Sequence, residues 1–274
     1  MSNIQNLAGY KFNNLELNKI QKHRLELRDI ARKIGIKGSI LLGTEGCNMF
    51  IAANEEQNKA FLKEFFQVFP ELADIKFKVS WSETAPFTRM LIKLKQEIIT
   101  LGQPNVNAVD KTATEIDPVE FANNYENYLV IDTRNTYETS LGKFKGAIDL
   151  GLESFREFPE AIKKVLPPAE ANKPIVIYCT GGIRCEKAGL WMEQSGYENV
   201  YQLKDGILGY FEQCGQEHYE GECFVFDKRV GVNHNLSETE TKQCYACRTP
   251  WTDSAINARN GVCSCGKTVY WYQK

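Results

Sequence analysis

The sequence predicts an α/β protein built from an α+β N-terminal domain, a parallel α/β domain and a small cysteine-rich tail. Three observations carry this reading. Helical and extended patterns alternate in the order βαββαβ through residues 1–100. Short apolar strands separated by helices follow over residues 116–215, a pattern of strands buried on both faces of a parallel sheet. Beyond residue 215 the chain is short and aromatic, and holds five of the nine cysteines. A chain of 274 residues is long enough for two domains and a smaller third unit.

In the first domain, Tyr10 to Leu15 reads as a strand and Leu17 to Ile34 as a helix with a 3.6-residue apolar period. Ser39 to Leu42 and Asn48 to Ala53 flank the turn Gly43-Thr44-Glu45-Gly46, which makes them a hairpin. Glu55 to Phe69 is a second helix, closed by Pro70. Ile75, Phe77, Val79 and Trp81 alternate with polar residues, as a half-buried strand does. The order implies a split, ferredoxin-like sandwich of helices on an antiparallel sheet, and Phe87 to Thr100 is a further strand pair or extended crossover leaving the domain. Residues 101–115 are polar and aperiodic, the expected linker.

The second domain opens at Asp117-Pro118, a helix cap followed by proline at the first helical position. Tyr128 to Asp132, Pro174 to Tyr178 and Val200 to Leu203 are its apolar strands, and Pro159 to Val165 is helical. Ligands of open parallel sheets sit beyond the carboxyl ends of strands. Cys179 occupies such a position, and so do Asp132 and Arg134.

The run Val176 to Cys185 is the most informative in the chain. A buried strand stops at Cys179, turns through Gly181 and Gly182, and opens a helix running from Cys185 to Gln194, where Ala188, Leu190, Trp191 and Met192 are available to face the sheet. A thiol at that point meets free backbone N–H groups and the positive end of a helix dipole. Both favour thiolate at neutral pH. Thr180, Gly181, Gly182 and Ile183 supply the amide cradle, with a positive φ expected at Gly181, and Arg184 closes it. A loop arginine at a strand end contributes little to a core, so Arg184→Ala is expected to lower activity without unfolding. Cys185, at the helix start, is either a partner thiol that resolves an oxidised Cys179 or a substitute for a serine cap.

In the tail, Cys244-Tyr-Ala-Cys247 is followed by Cys263-Ser-Cys265. Four thiolates in two pairs suit tetrahedral zinc, and a metal would explain how so small a segment stays ordered. The second pair has a tighter bite than the usual spacing, and Cys214 and Cys223 are alternative ligands; free thiols are the competing reading. No histidine joins the cluster at ligand spacing, which argues against a catalytic zinc.

Net charge is −2, yet residues 1–100 carry 15 basic against 11 acidic side chains. Arg24, Arg28 and Arg32 recur every fourth residue and share a helical face opposite Ile20, Leu27, Ile30 and Ile34. Such a stripe tracks nucleic-acid phosphates or is simply a solvated face, and charge alone does not choose. No apolar run approaches the ~20 residues of a membrane span, and Met1 to Gly9 lacks the pattern of a signal peptide, so a cytoplasmic location is expected. No dinucleotide glycine fingerprint and no two-His-one-carboxylate set is present, so no flavin or redox metal is recognised.

Asp132-Thr-Arg134-Asn-Thr-Tyr137-Glu138, Gly142-Lys-Phe-Lys-Gly146-Ala147, Cys179 to Arg184 and Leu203-Lys-Asp-Gly206-Ile207 together resemble the landmarks of rhodanese domains, with Phe144 where isoleucine is usual. Cysteine-dependent phosphatases have a loop one residue longer, sized for phosphate, whereas the rhodanese loop holds a cysteine persulfide. The resemblance extends further. Lys37 to Asn48, Lys95 to Thr100, the doubled-cysteine loop Cys179 to Ala188, Gly221 to Arg229 and Cys244 to Cys247 look like the tRNA wobble-uridine hydroxylase family. Cys47 replaces an isoleucine usual in that family, and Cys263-Ser-Cys265 replaces a second CxxC.

That resemblance implies an acylphosphatase-like N-terminal domain, a rhodanese domain and a cysteine-bearing tail. It implies oxygen-dependent conversion of the wobble uridine of tRNA to 5-hydroxyuridine, with dioxygen as co-substrate. Cys179 is then the nucleophile, and the face of Arg24, Arg28 and Arg32 holds the anticodon stem by its phosphates. Two other readings remain open at this point: a sulfurtransferase carrying a persulfide on Cys179, and a non-enzymatic RNA or protein adaptor.

Overall fold

A computed structural model describes residues 4–269. Residues 1–3 and 270–274, the outer ends of the expected first domain and tail, lie outside the described residues. The described chain forms two compact units that divide between Thr112 and Ala113.

The first unit contains β1 (Ile4–Phe12), α1 (Leu17–Ile34), β2 (Lys37–Gly43), β3 (Gly46–Ala53), α2 (Glu55–Val68), β4 (Lys78–Ser82) and β5 (Met90–Leu94). The strands form one sheet in the order β4-β1-β3-β2-β5, with β5 parallel to β2 and the other neighbours antiparallel. Ile20, Leu27 and Ala31 of α1 and Phe61 and Phe65 of α2 share a core with Ile40, Leu42, Met49 and Ile51 of the sheet. Gly35 ends α1 in the left-handed region at φ 95°, where its amide reaches the Ala31 and Arg32 carbonyls. Asn54 starts α2 by accepting the Gln57 amide at 2.8 Å.

Three expectations for this unit need correction. The first strand runs from Ile4 to Phe12 because it pairs with β3 from Gln5 through Phe12, while Asn13 and Leu15 leave the ladder to bond the β2–β3 turn. The fourth strand begins at Lys78, three residues after Ile75. Phe87 to Thr100 supplies a single strand, β5, which adds to the sheet edge at β2. Cys47 is fully buried in the core, and burial pushes its thiol far above the ordinary range.

The second unit contains β6 (Thr114–Ile116), α3 (Pro118–Asn123), β7 (Leu129–Asp132), α4 (Thr136–Thr139), β8 (Gly142–Phe144), β9 (Ile148–Asp149), α5 (Phe158–Val165), β10 (Ile175–Tyr178), α6 (Ile183–Gln194), β11 (Val200–Leu203) and α7 (Gly206–Cys214). Its main sheet, β6-β11-β10-β7-β9, is parallel throughout. The Asp117 carboxylate caps α3 by accepting the Val119 amide at 2.9 Å. β10 is the central strand, so the residue that follows it sits at the middle of the carboxyl edge.

The chain continues as β12 (Tyr219–Gly221), β13 (Cys223–Phe224), β14 (Gly231–Val232), β15 (Lys242–Gln243), β16 (Pro250–Trp251) and α8 (Asp253–Asn257). β12 pairs with β8, which ties the start of the tail to the body of the unit. Phe144 is the hub of that junction, with the rings of Tyr178 and Tyr210 each at 4.8 Å, Tyr219 at 5.1 Å and Phe121 at 5.4 Å. An isoleucine there would forfeit four edge-to-face contacts. Among the described residues, no helix is long and apolar enough to cross a membrane.

Candidate active site

Cys179 stands one residue past the end of β10, and Thr180, Gly181 and Gly182 carry the chain into α6. The Gly182 amide donates to the Cys179 Sγ at 3.1 Å. Burial opposes ionisation of this thiol, but a hydrogen bond from Cys185, the Arg184 charge and the Arg184 and Gly181 amides outweigh it and bring it down to about 5. Cys185, fully buried, is shifted the opposite way: burial and its donated bond to the Cys179 sulfur hold its proton on. The two thiols thus share one charge, carried on Cys179.

The loop is fixed from behind. The first amides of α7, at Ile207 and Leu208, bond the Cys179 and Thr180 carbonyls at 3.0 and 3.1 Å. Gly206, at φ 60°, lies so close to the Cys179 carbonyl that any β-carbon would strike it. The left-handed residue within the loop is Gly182, at φ 96°, and not Gly181 as the sequence suggested. A β-carbon on Gly181 would meet no atom within 4 Å, so open space adjoins the loop at this position. Thr180 and Gly182 are buried, while Gly181 and Ile183 are half-buried.

Arg184 is buried at 4 % exposure and makes a two-pronged ion pair with Glu138, with both N–O distances at 2.6 Å. Glu138 also accepts the Thr180 hydroxyl at 3.3 Å and the Asn135 amide at 3.2 Å. The expectation that Arg184 is removable without harm to the fold is therefore corrected, because its loss would strand a buried carboxylate. Its charge reaches the Cys179 sulfur from a position braced by Glu138.

Asp132 and Arg134 lie on the same sheet edge but are fully buried. Arg134 pairs with Asp132 at 2.7 Å and donates to the Gly142 carbonyl at 2.7 Å, and the Tyr178 hydroxyl donates to Asp132 at 2.6 Å. This corrects their expected role in substrate contact. With no surface exposed, they act as an internal clasp between β7, β10 and β8.

A rim of aromatic side chains borders the loop. The Tyr137 and Phe224 rings meet edge-on at 5.2 Å, Phe224 and Phe226 at 5.3 Å, and the Arg184 guanidinium lies over Phe226 at 5.7 Å. Sequence reasoning missed Glu138, Tyr137, Phe224 and Phe226 as site residues. Glu138 did carry a signal, since it stands three residues after Asn135 at capping spacing. Tyr137, Phe224 and Phe226 lie inside motifs that carry the family resemblance, but nothing in those motifs marks their rings as bordering the loop.

Two other residue sets were expected from the sequence. Arg24, Arg28 and Arg32 share α1 of the first unit; Arg24 and Arg28 are half-buried, and Asp29 approaches Arg28 at 3.8 Å and Arg32 at 3.4 Å. In the tail, the sulfurs of Cys244, Cys247, Cys263 and Cys265 all lie within 4.8 Å of one another. Cys244 and Cys265 are 3.9 Å apart, and Cys247 and Cys263 3.4 Å. A tetrahedron with zinc–sulfur arms of ~2.3 Å has edges of about 3.8 Å, so the set fits a metal. Cys223 is instead part of the apolar core, and Cys214 lies outside the cluster.

Three family descriptions match consecutive parts of the chain: a UPF0176 acylphosphatase like domain at residues 4–98, a rhodanese-like domain at 117–213 and a rhodanase C-terminal domain at 220–269. A tRNA uridine(34) hydroxylase of Agrobacterium fabrum is 43 % identical over 86 % of this chain and 76 % of its own length. Proteins of the same name from Cupriavidus necator and Sinorhizobium medicae are 40 % and 44 % identical, covering 89 % and 86 % of this chain and 88 % and 75 % of their own lengths. With an acylphosphatase-like domain, a rhodanese loop and a cysteine-rich tail in one order, and with relatives this similar along most of its length, the chain belongs to the tRNA uridine(34) hydroxylase family.

Proposed function

We propose that this protein hydroxylates the wobble uridine of tRNA at C5, with Cys179 as its nucleophile. The observation that carries this reading is the Cys179 sulfur, held as thiolate by the loop amides and the Cys185 thiol beside an opening at Gly181. The names of the relatives supply the reaction. Addition of the thiolate to C6 of uracil makes an enolate whose C5 is electron-rich and reacts with dioxygen. One oxygen atom enters at C5 and the other leaves as water, so each turnover also consumes two electrons and two protons from a reductant of the thiol class. Loss of the C5 proton then expels Cys179 and restores the ring.

In this reading Arg184, held by Glu138, fixes the loop and favours the thiolate, and Cys185 steadies it by its donated hydrogen bond. The amides of Thr180 to Ile183 line the approach. The Arg24, Arg28 and Arg32 face takes the phosphates of the anticodon stem. The four tail cysteines hold a structural zinc, which would order a segment too small for a large apolar core. With tRNA as its substrate, the protein works in the cytoplasm in this reading.

The test is nucleoside mass spectrometry of tRNA incubated with purified protein, dioxygen and a thiol reductant. The expected result is 5-hydroxyuridine with wild-type protein and none with Cys179→Ser. Equal product from Cys179→Ser would remove the nucleophile from the account. Thiosulfate-to-cyanide turnover without any 5-hydroxyuridine would favour a sulfurtransferase, and retention of cellular function by Cys179→Ala would favour an adaptor.

A further inference from the structure

We infer that Phe226 is the stacking platform for the unstacked base of the RNA substrate, holding that base beside the Cys179 loop. This rests on the tRNA reading above and adds to it the side chain that receives the reacting nucleotide.

The ring is exposed where its surroundings are not. Phe226 is 48 % exposed, whereas Phe224, Val225, Arg229 and Val230 are all below 9 %. It stands at the tip of the β13–β14 hairpin, and the tip is stiff. The Val225 amide bonds the Val230 carbonyl at 2.8 Å across the turn. Within the turn, Asp227 accepts the Arg229 amide at 3.0 Å and its guanidinium at 2.6 Å. The Phe224 ring meets the Phe226 ring edge-on at 5.3 Å and is itself met edge-on by Tyr137 at 5.2 Å.

The hairpin is also coupled to the nucleophile loop through two contacts. The Thr180 hydroxyl, next to Cys179, approaches the Phe224 carbonyl at 3.5 Å. The Arg184 guanidinium, whose charge favours the Cys179 thiolate, lies over the Phe226 ring. An aromatic plane is thereby held at a fixed place relative to the sulfur, with Lys228 exposed two residues further along the turn.

This arrangement answers a need of the chemistry. A thiolate cannot reach C6 of a pyrimidine that remains stacked between its neighbours, so the nucleotide has to be drawn out. Proteins that take unstacked bases offset the lost stacking with an aromatic ring or a guanidinium plane. Phe226 provides the ring, and the buried Arg184 guanidinium that lies over it helps to hold it in place. A protein-docking role would equally use an exposed phenylalanine, and the test separates the two.

The test measures binding of a labelled anticodon stem-loop RNA by fluorescence anisotropy, with uridine or no base at the wobble position. Wild-type protein should prefer the uridine RNA by about tenfold. Phe226→Leu, which keeps apolar bulk, should bind both RNAs at the level of the abasic one, while Phe226→Trp should keep the preference. Thermal midpoints of the two variants should match wild type. A preference that survives in Phe226→Leu, or that is absent in wild type, overturns the proposal. The readout does not depend on product: hydroxylation with no role for Phe226 refutes the platform alone, and a Phe226-dependent preference without hydroxylation refutes the reaction alone.

Discussion

The Arg184 guanidinium and the Glu138 carboxylate face each other across the nucleophile loop in a buried, two-pronged pair with both distances at 2.6 Å. Glu138 comes from α4, 46 residues earlier in the chain, so the pair ties the first landmark of the domain to its cysteine loop. Removing one partner of such a pair leaves an uncompensated charge and costs about 3–5 kcal/mol. Arg184→Ala and Glu138→Gln should each lower the unfolding free energy by that order, read as a lower urea midpoint at unchanged slope. The double variant Arg184→Met with Glu138→Leu should recover much of the stability but none of the activity. An unchanged midpoint for Arg184→Ala would show that the pair does not brace the domain.

Within the loop, the two glycines should behave differently. Gly182 adopts φ 96°, so Gly182→Ala should cost about 1–3 kcal/mol and disturb the amide that holds the Cys179 sulfur. Gly181 has no such constraint and open space where a side chain would go. Gly181→Ala should therefore unfold like wild type, and any effect should fall on substrate entry. Denaturant melts that ranked the variants in the reverse order would contradict the loop geometry.

Cys185 donates its proton toward Cys179, and the sign of its removal follows. Without that donor the thiolate loses a stabilising hydrogen bond and its ionisation moves up in pH. The acid limb of activity in Cys185→Ala should shift to higher pH, while Cys185→Ser should stay near wild type. The same coupling bears on folding. Because Cys179 is depressed in the folded state, its contribution to stability is full above the ordinary thiol value of ~8.5 and is lost as pH falls through about 5. An acid limb identical in all three proteins would show that Cys185 is only packing.

The loop, the parallel sheet and the four tail cysteines were legible because each is a local pattern. α1 spans the residues its apolar period marked, from Leu17 to Ile34, and Asp117 caps α3 as its spacing implied. What escaped notice depends on pairing across the chain. Asp132 and Arg134 look like site residues at a strand end, yet they pair with each other inside the protein. Nothing local to Arg184 marks Glu138 as its partner, and nothing in Cys223 to Asp227 tells the exposed Phe226 from the buried Phe224. β1 was misplaced because its bounds follow from its ladder with β3 rather than from its own alternation.

In the tail, the short spacing of Cys263 and Cys265 does not prevent convergence of the four sulfurs. Metal analysis of purified protein should find one zinc per chain. Chelation or Cys265→Ser should release it and lower the thermal midpoint. Metal-free protein with full stability would end the zinc assignment.

The most direct test of the central claim is the ultraviolet thiolate absorbance of wild-type protein minus that of Cys179→Ser, followed from acid to alkaline pH. The account predicts one thiolate present at neutral pH that is lost with a midpoint of about 5. A midpoint at the ordinary thiol value of ~8.5 would contradict it, because the loop would then hold a neutral thiol with no nucleophile to offer.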